Sequence, residues 1–160
     1  GYQRALVVHG LDSTGDRGMD ELSSIGPSVV QELRPDGSVD SYSLAPEDVG
    51  LRRADYAAIA AGGDVHREAL RFLEVLSGQG HPECIDFTCL NAGAILYLVG
   101  LAADFKDGVE RSRELIHSGR ALTKFSRWVA TQADPGHNGL VRFLDTARRA
   151  GLEKSVAAGL

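Results

Sequence analysis

The hydrophobic pattern of the chain is strand-like at first and becomes helical beyond about residue 60. Residues 6–8 form a short apolar run, Leu-Val-Val, that stops just before Gly10. Unbroken runs of this kind are typical of strands that are buried on both faces of a sheet. Two further strands are predicted at residues 28–33 and 39–44, joined by a Pro-Asp-Gly turn at residues 35–37.

A strand that is buried on both faces, as predicted for residues 6–8, needs strand neighbours at both edges and helices on both faces. The three strands found in the sequence are too few to provide these. We therefore expect an α/β fold whose mixed, mainly parallel sheet is flanked by helices and completed by another polypeptide segment. The alternative is that the 160 residues fold alone, since this is an ordinary size for a domain.

The second half of the chain is predicted to be helical. Asp64 is the expected N-cap of a helix that ends at Ser77-Gly78. The next helix, from about residue 85 to 103, is apolar nearly all round and is therefore expected to be central and buried. Asp107 is predicted to cap a helix that ends at Ser118-Gly119, and another amphipathic helix follows.

The last part of the chain begins with a break in the pattern at Pro135-Gly136. Asn138 is then predicted to cap a final amphipathic helix that ends near Gly151. We interpret residues 133–160 as a helical extension that follows a domain formed by residues 1–132.

Two polar side chains stand out beside apolar segments. Asn91 lies in the apolar helix, and a buried amide must be hydrogen-bonded. It therefore either ties the helix to a loop, which is the commoner role, or faces a cleft. His9 follows the first strand, where it either transfers a proton or makes a structural hydrogen bond, which is again the commoner role.

Asp20 and Glu21 are the strongest candidates for chemistry. They follow the first strand, and ligands in α/β folds collect beyond the carboxyl ends of strands. Their carboxylates are hard oxygen ligands, and Mg²⁺ typically takes one or two carboxylates together with waters and substrate phosphates. Alone, an Asp-Glu dipeptide is a weak signal, because it is also common on protein surfaces.

Around this pair, a series of short motifs follows in a fixed order. After His9-Gly10 and Asp20-Glu21 come residues 25–28 (IGPS), 45–51 (APEDVGL), 61–64 (AGGD), 90–97 (LNAGAILY), 108–109 (GV) and 118–121 (SGRA). Over about residues 4 to 130, the series closely resembles the C-terminal half of the anthranilate phosphoribosyltransferase family. Single pieces such as Gly-Gly-Asp are weak, but six or seven in register are a specific signal.

The resemblance implies both a fold and a reaction. Residues 1–132 would be the C-terminal portion of the family's α/β catalytic domain. The enzyme, a glycosyltransferase, would move the 5-phosphoribosyl group from phosphoribosyl pyrophosphate to anthranilate or a related aromatic amine or carboxylate, releasing pyrophosphate, as in tryptophan biosynthesis. By the same resemblance, Asp20 and Glu21 would bind the Mg²⁺ that accompanies phosphoribosyl pyrophosphate, and His9, Gly10 and Asn91 are candidate substrate-binding residues.

Two departures from the family pattern affect this interpretation. The family's glycine-rich phosphate loop lies in its N-terminal half, and this chain, which begins at Gly1 without a Met, contains no such loop. We therefore expect activity only with another polypeptide that supplies the N-terminal half. In addition, residues 13–17 (STGDR) interrupt the family's His-Gly-x-Asp-Gly-x-Asp-Glu pattern. This insertion either forms an anion-binding nest of N–H groups, reshapes acceptor binding, or is solvated surface.

Two alternatives to the anthranilate enzyme remain open. One is a non-catalytic binding or regulatory homologue that has lost the phosphate loop. The other is a related enzyme with a different acceptor in specialised metabolism, which the insertion motivates. The residues that would select the acceptor lie outside this sequence.

Composition narrows the remaining possibilities. Seventeen basic and 22 acidic residues give a net charge of −5, with no basic stripe, so we expect no nucleic-acid partner. Cys84 and Cys89 match no redox or zinc spacing and are expected to be reduced and buried. No apolar segment is continuous enough to span a membrane, and no signal peptide is visible. We expect a cytoplasmic protein that is oligomeric, although the sequence does not define the oligomer.

Overall fold

A computed structural model of the chain describes residues 1–132 and 138–160. The strands are β1 (Ala5–Leu11), β2 (Gly18–Met19), β3 (Ser28–Leu33) and β4 (Val39–Leu44), followed by a 3₁₀ turn at Pro46–Val49. The helices are α1 (Tyr56–Ile59), α2 (Val65–Ser77), α3 (Pro82–Leu98), α4 (Phe105–His117), α5 (Arg120–Thr131), α6 (Gly139–Arg149) and α7 (Glu153–Ala157). The chain divides into two compact units, residues 1–60 with 86–113, and residues 61–85 with 114–160.

The first unit contains the sheet, whose strand order is β2-β1-β3-β4. Strands β3 and β4 coincide with the two predicted strands, and the predicted turn between them is present, with the Gly37 N–H donating to the Arg34 carbonyl oxygen at 2.9 Å. All three described strand pairs are antiparallel, so the expectation of a mainly parallel sheet is wrong for the described strands. Short connections join β1 to β2 and β3 to β4, whereas parallel neighbours need a long crossover connection.

One face of this sheet is buried and the other is open. On the buried face, Val30 and Glu32 of β3 are completely inaccessible. On the open face, Val7, Val29 and Val39 are 67%, 43% and 60% exposed. The expectation that β1 is buried on both faces is therefore wrong for the described residues, because nothing among them covers the second face.

Helix α3 is held to the buried face by a charged cluster around Glu32. The Glu32 carboxylate accepts hydrogen bonds from the hydroxyls of Tyr42 and Tyr97, both at 2.8 Å, and Tyr97 lies on α3. It also pairs with Arg4 at 3.3 Å and with Arg34 at 2.9 Å. A buried carboxylate is tolerated only with such partners, so the cluster fixes the helix against the sheet.

Helices α3 and α4 cross at two glycines. A Cβ on Gly93 would lie 2.6 Å from the Val109 backbone nitrogen, and one on Gly108 would collide with the Gly93 carbonyl oxygen. Any larger side chain at either position would push the two backbones apart. The crossing therefore completes the support of α3 within the first unit.

The predicted helix caps are partly confirmed. The Asp64 carboxylate accepts the N–H groups of His66 and Arg67, as expected for an N-cap. The cap predicted for α4, Asp107, is wrong by three residues, because the Asp104 carboxylate accepts the Asp107 N–H at 2.8 Å. The Asp107 carboxylate accepts the N–H of Ala103. The first of these bonds makes Asp104 the N-cap, and the second ties Asp107 to the residue before the cap.

The ends of two other helices also differ from the predictions. Helix α3 ends at Leu98 and not near residue 103, because Gly100 adopts a left-handed conformation, with φ of 75°, that stops it. Asn138 precedes α6 as predicted, but its side chain makes no capping hydrogen bond. The predicted break at Pro135-Gly136 lies outside the described residues.

The second unit is built around an apolar core of α2, α5, α6 and α7. Its buried members are Leu73, Leu122, Phe143, Ala147, Leu152 and Val156. Four of these six come from the part of the chain beyond residue 132, so α6 and α7 are integral to this unit. The predicted domain boundary at residue 132 adjoins the undescribed residues and stays a prediction.

Candidate functional site

Strands β1 and β2 form a hairpin that delivers Asp20 and Glu21. Gly10 pairs with Met19 and Leu11 with Gly18, and the two acidic residues follow β2 directly. Both are exposed. Within the part of the chain that the structure describes, neither carboxylate makes a hydrogen bond or an ion pair, so their oxygens are available to a ligand.

The residues after this pair are fixed on two sides. The Asn91 amide accepts the Leu22 N–H at 2.9 Å and donates to the Leu22 carbonyl oxygen at 3.0 Å. The Ser23 hydroxyl donates to the Leu11 carbonyl oxygen at 2.6 Å, and the Ser23 N–H donates to the Ser28 hydroxyl at 2.8 Å. The tether predicted for Asn91 is confirmed, whereas substrate binding by Asn91 stays a prediction.

Gly10 and His9 occupy different surroundings. Gly10 is buried, and a Cβ there would collide with the Glu21 carbonyl oxygen, so glycine allows the segment with the acidic pair to pass close to β1. His9 is exposed, and its ring lies against Gly18. No described residue hydrogen-bonds to the His9 ring, so the expected structural hydrogen bond is not made among these residues. Substrate binding by either residue stays a prediction.

The insertion at residues 13–17 forms the tip of the β1–β2 hairpin. The Asp12 carboxylate accepts hydrogen bonds from the Thr14 hydroxyl at 2.9 Å, and from the backbone N–H groups of Thr14, Gly15 and Asp16 at 2.7–3.1 Å. These bonds, with the Thr14 hydroxyl first, hold the pKa of Asp12 below its usual value. The predicted nest of N–H groups therefore already holds an anion, the chain's own carboxylate, and is not available to a phosphate.

A cavity of about 900 Å³ lies beside the hairpin tip. One wall is the tip, with Asp16, Arg17 and Met19, and the other includes Arg53 and Tyr56. The second wall is held by the Ala54 N–H, which donates to the Ser24 carbonyl oxygen at 2.8 Å; Arg53 also makes an exposed ion pair with Glu47 at 3.2 Å. The volume of the cavity is in the usual range for small-molecule sites.

The acidic pair fits a metal ion whose other ligands are waters and substrate phosphates. Among the described residues, no group of three or more His, Cys, Asp or Glu side chains could hold a metal ion. Two free carboxylates meet the preference of Mg²⁺ for one or two protein carboxylates, with waters and substrate phosphates completing its octahedron. On their own, Asp20 and Glu21 would thus bind a divalent cation weakly, and substrate phosphates would tighten the binding.

Several supporting residues were missed by the sequence predictions. Ser23, Ser28 and Asp12 organise the loop through local bonds, and the Asp-Ser-Thr-Gly and Ser-Ser-Ile-Gly segments have the composition of side-chain-stabilised turns. Glu32 shares a face of β3 with Val30, so strict alternation would have shown a carboxylate pointing into the core. The approach of Asn91 to Leu22 has no local signal.

Both cysteines are free and buried, as expected, and burial raises the pKa of Cys89 to about 11. Within the described ranges, no helix has both the length and the apolar composition needed to cross a membrane.

Comparison with known proteins places these features in context. The profile of the family described as "Glycosyl transferase family, a/b domain" matches residues 1–122. The chain is 40% identical over 129 residues to the anthranilate phosphoribosyltransferase of Rubrobacter xylanophilus, which covers 81% of this chain but only 36% of that relative. The chain thus spans about a third of the length of the curated relatives it matches.

Solved structures give the same picture. Anthranilate phosphoribosyltransferase from Thermus thermophilus is 32% identical, with a TM-score of 0.61 over 91% of this chain and 36% of that one. The Saccharomyces cerevisiae enzyme is 25% identical with the same TM-score and coverage, and has been solved as a variant with Mg bound and in complex with 4-fluoroanthranilate. The α/β fold class expected from the sequence is confirmed.

Proposed function

Because this chain belongs to the glycosyl transferase family, a/b domain, we propose that it is the C-terminal part of an anthranilate phosphoribosyltransferase-type enzyme. The reaction would move the 5-phosphoribosyl group of phosphoribosyl pyrophosphate to anthranilate or a related aromatic acceptor and release pyrophosphate. The names of the relatives support this assignment. The observation that carries it is the free, exposed Asp20-Glu21 pair on a loop fixed at both the hairpin and α3.

The task of this chain's residues would be binding and orientation. Asp20 and Glu21 would hold Mg²⁺, which when bound neutralises charge on the departing pyrophosphate. The hairpin on one side and Asn91 on the other would keep the two carboxylates in register with the substrate phosphates. Such positioning matters because a shift of about an ångström can cost a hundredfold in rate.

Substitution of the pair tests the proposal. Asp20→Asn and Glu21→Gln should each lower the transfer rate of the assembled enzyme by about tenfold or more. Raised Mg²⁺ should restore part of the loss, because the affinity of the site, and not its chemistry, is reduced. Glu110→Gln, which removes an exposed carboxylate from α4, is the matched control and should leave the rate unchanged. Equal rates for all three variants at limiting Mg²⁺ would contradict the assignment.

We further propose that polypeptide outside this sequence covers the open face of the sheet. Three half- to two-thirds-exposed valines, Val7, Val29 and Val39, lie on that face. Only Gly10 and Leu11 of β1 pair with β2, so the rest of β1 has a described strand neighbour on one side alone, β3. A native mass spectrum should show a second polypeptide in stoichiometric complex, or a longer chain that includes both parts. A monodisperse 160-residue species that catalyses no transfer would favour a non-catalytic binding homologue instead.

The hairpin tip supports a second possibility, that the acceptor differs from anthranilate. The inserted residues Ser13, Thr14, Asp16 and Arg17 line the cavity together with Met19, which directly precedes the acidic pair in the chain, and an acceptor bound there would contact them. Competing aromatic acceptors should be offered to the assembled enzyme before and after deletion of residues 13–17. A changed order of preference would assign the tip to acceptor selection, and an unchanged order would leave it as surface.

A further inference from the structure

Asn91 and the acidic pair are connected through a single residue. Leu22 directly follows Glu21, its side chain is 1% exposed, and both of its backbone polar groups bond to the Asn91 amide. The two partners are 69 positions apart in the chain. The contact therefore joins the end of the hairpin to the middle of α3.

The hydrogen bonds of Asn91 also fix the orientation of its amide. Nδ2 donates to the carbonyl oxygens of Leu22 and Phe87, at 3.0 and 3.1 Å, while Oδ1 accepts the Leu22 N–H. A primary amide has only two N–H bonds. Both are used inside the chain, so none is left to donate to a substrate.

The other end of α3 makes Asn91 a rigid anchor. Tyr97, farther along the same helix, bonds to the buried Glu32 at 2.8 Å, and Gly93 packs against the α4 backbone. The helix cannot follow a displacement of the loop without disrupting these contacts. Leu22 is consequently held against a fixed support, and the freedom of Glu21 is restricted from its C-terminal side.

We propose that Asn91 is a positioning residue for the Asp20-Glu21 pair, which sets metal affinity by pinning Leu22. This inference rests on the proposed metal role of the pair. It assigns to Asn91 no contact with metal or substrate. Partners bonded directly to metal ligands commonly change metal affinity by 10- to 100-fold when they are removed, and Asn91, which bonds to the next residue along, should act near the lower end of that range.

The experiment uses Mn²⁺ alone as the probe and a dilute solution of the 160-residue chain, below the concentration at which it associates. Paramagnetic broadening of the Met19 and Leu22 amide signals gives an apparent dissociation constant even when binding is weak. Asn91→Ala should weaken Mn²⁺ binding by about tenfold or more, and should speed hydrogen exchange at the Leu22 amide. Asn91→Ser, which retains one hydroxyl for hydrogen bonding, should give a smaller change in both and guards against loss of folding in the alanine variant.

Ile95→Ala is the matched control on the same helix. Its side chain is 62% exposed and is not among the contacts that hold α3 in place, so the substitution should change neither Mn²⁺ affinity nor Leu22 exchange. Faster Leu22 exchange with unchanged Mn²⁺ affinity in the Asn91 variants would overturn the positioning role while leaving the metal site intact. Broadening by Mn²⁺ that persists in Asp20→Asn and Glu21→Gln would overturn the metal site itself, and the role of Asn91 with it.

Discussion

Removal of the Glu32 carboxylate should be one of the most damaging single changes to this chain. Glu32 is completely buried and interacts with two tyrosine hydroxyls and two guanidinium groups. Glu32→Ala would leave Arg4 and Arg34 facing a small apolar gap. Loss of one partner from a buried ion pair costs about 3–5 kcal/mol. The two arginine side chains are 26% and 36% exposed and retain some water, so we expect the lower end of that range.

The expected loss is large compared with the stability of a typical domain, which is about 5–15 kcal/mol. For about 3 kcal/mol, and roughly 2–4 °C per kcal/mol in a chain of this size, the melting temperature should fall by roughly 6–12 °C. Urea unfolding followed by far-ultraviolet circular dichroism gives the free energy. Hydrogen exchange at the Val30 amide then shows that the loss is in the sheet.

The stability lost in Glu32→Ala should also depend on pH. Burial raises the pKa of Glu32, but the bonds from Tyr42, Tyr97 and Arg4 lower it by more, and the net pKa lies below the ordinary value of 4.5. A carboxyl group with a lowered folded pKa stabilises the protein above its unfolded pKa, and this contribution is lost as the pH falls through the folded pKa. The difference in the free energy of unfolding between the native chain and Glu32→Ala should therefore be largest at neutral pH and become smaller below about pH 4.5.

Glu47→Ala provides the comparison, because Glu47 pairs with Arg53 at 3.2 Å but both side chains are about half exposed. Exposed pairs contribute little, so its melting temperature should match that of the native chain. If Glu32→Ala cost no more than Glu47→Ala, or if its cost did not change with pH, the reasoning about the buried cluster would be refuted.

Three further predictions concern other parts of the fold. Gly108→Ala should lower the free energy of unfolding by about 1–3 kcal/mol in urea, because its methyl group would collide with the backbone of α3; Gly139→Ala, where a Cβ meets no neighbour, is the control and should cost nothing. Asp12→Ala should speed hydrogen exchange in the hairpin tip. Because hydrogen bonds lower the pKa of Asp12, chiefly that from the tip's threonine hydroxyl, the native tip should stay ordered above the ordinary pKa of 3.8 and loosen below it, as amide chemical shifts would show. Cys89, whose pKa burial raises to about 11, should be alkylated by iodoacetamide at pH 8 only after denaturation; mass spectrometry that found rapid labelling of the folded chain would contradict its burial.

The parts of the fold that sequence predicts well are those with local causes. The β3–β4 hairpin is predicted by the Pro-Asp-Gly sequence of its turn, and the start of α2 is predicted by its N-cap residue, Asp64. For α4, Asp104 and Asp107 both have the chemistry of a cap, and both carboxylates accept backbone N–H groups at the start of the helix. A sequence pattern cannot distinguish two such residues three positions apart.

The errors lie where the answer depends on distant partners. The apolar run of β1 indicates burial, but what covers a strand is decided by which other segments are present, and Val7 is 67% exposed. Similarly, the motif indicates Asp20-Glu21, but not the support from Asn91, because long-range contacts leave no mark in local spacing. Glu32 could have been found, since its position on β3 alternates in phase with Val30.

The open valine face of the sheet also has a practical consequence for handling the protein. Exposed apolar side chains on an uncovered sheet face and an incompletely paired strand edge both promote association between sheets. Expressed without whatever covers Val7, Val29 and Val39, the chain should aggregate as its concentration rises, with its net charge of −5 offering modest protection. Light scattering across a concentration series, and yields with and without a co-expressed covering segment, would reveal how strongly this surface limits production of the isolated chain.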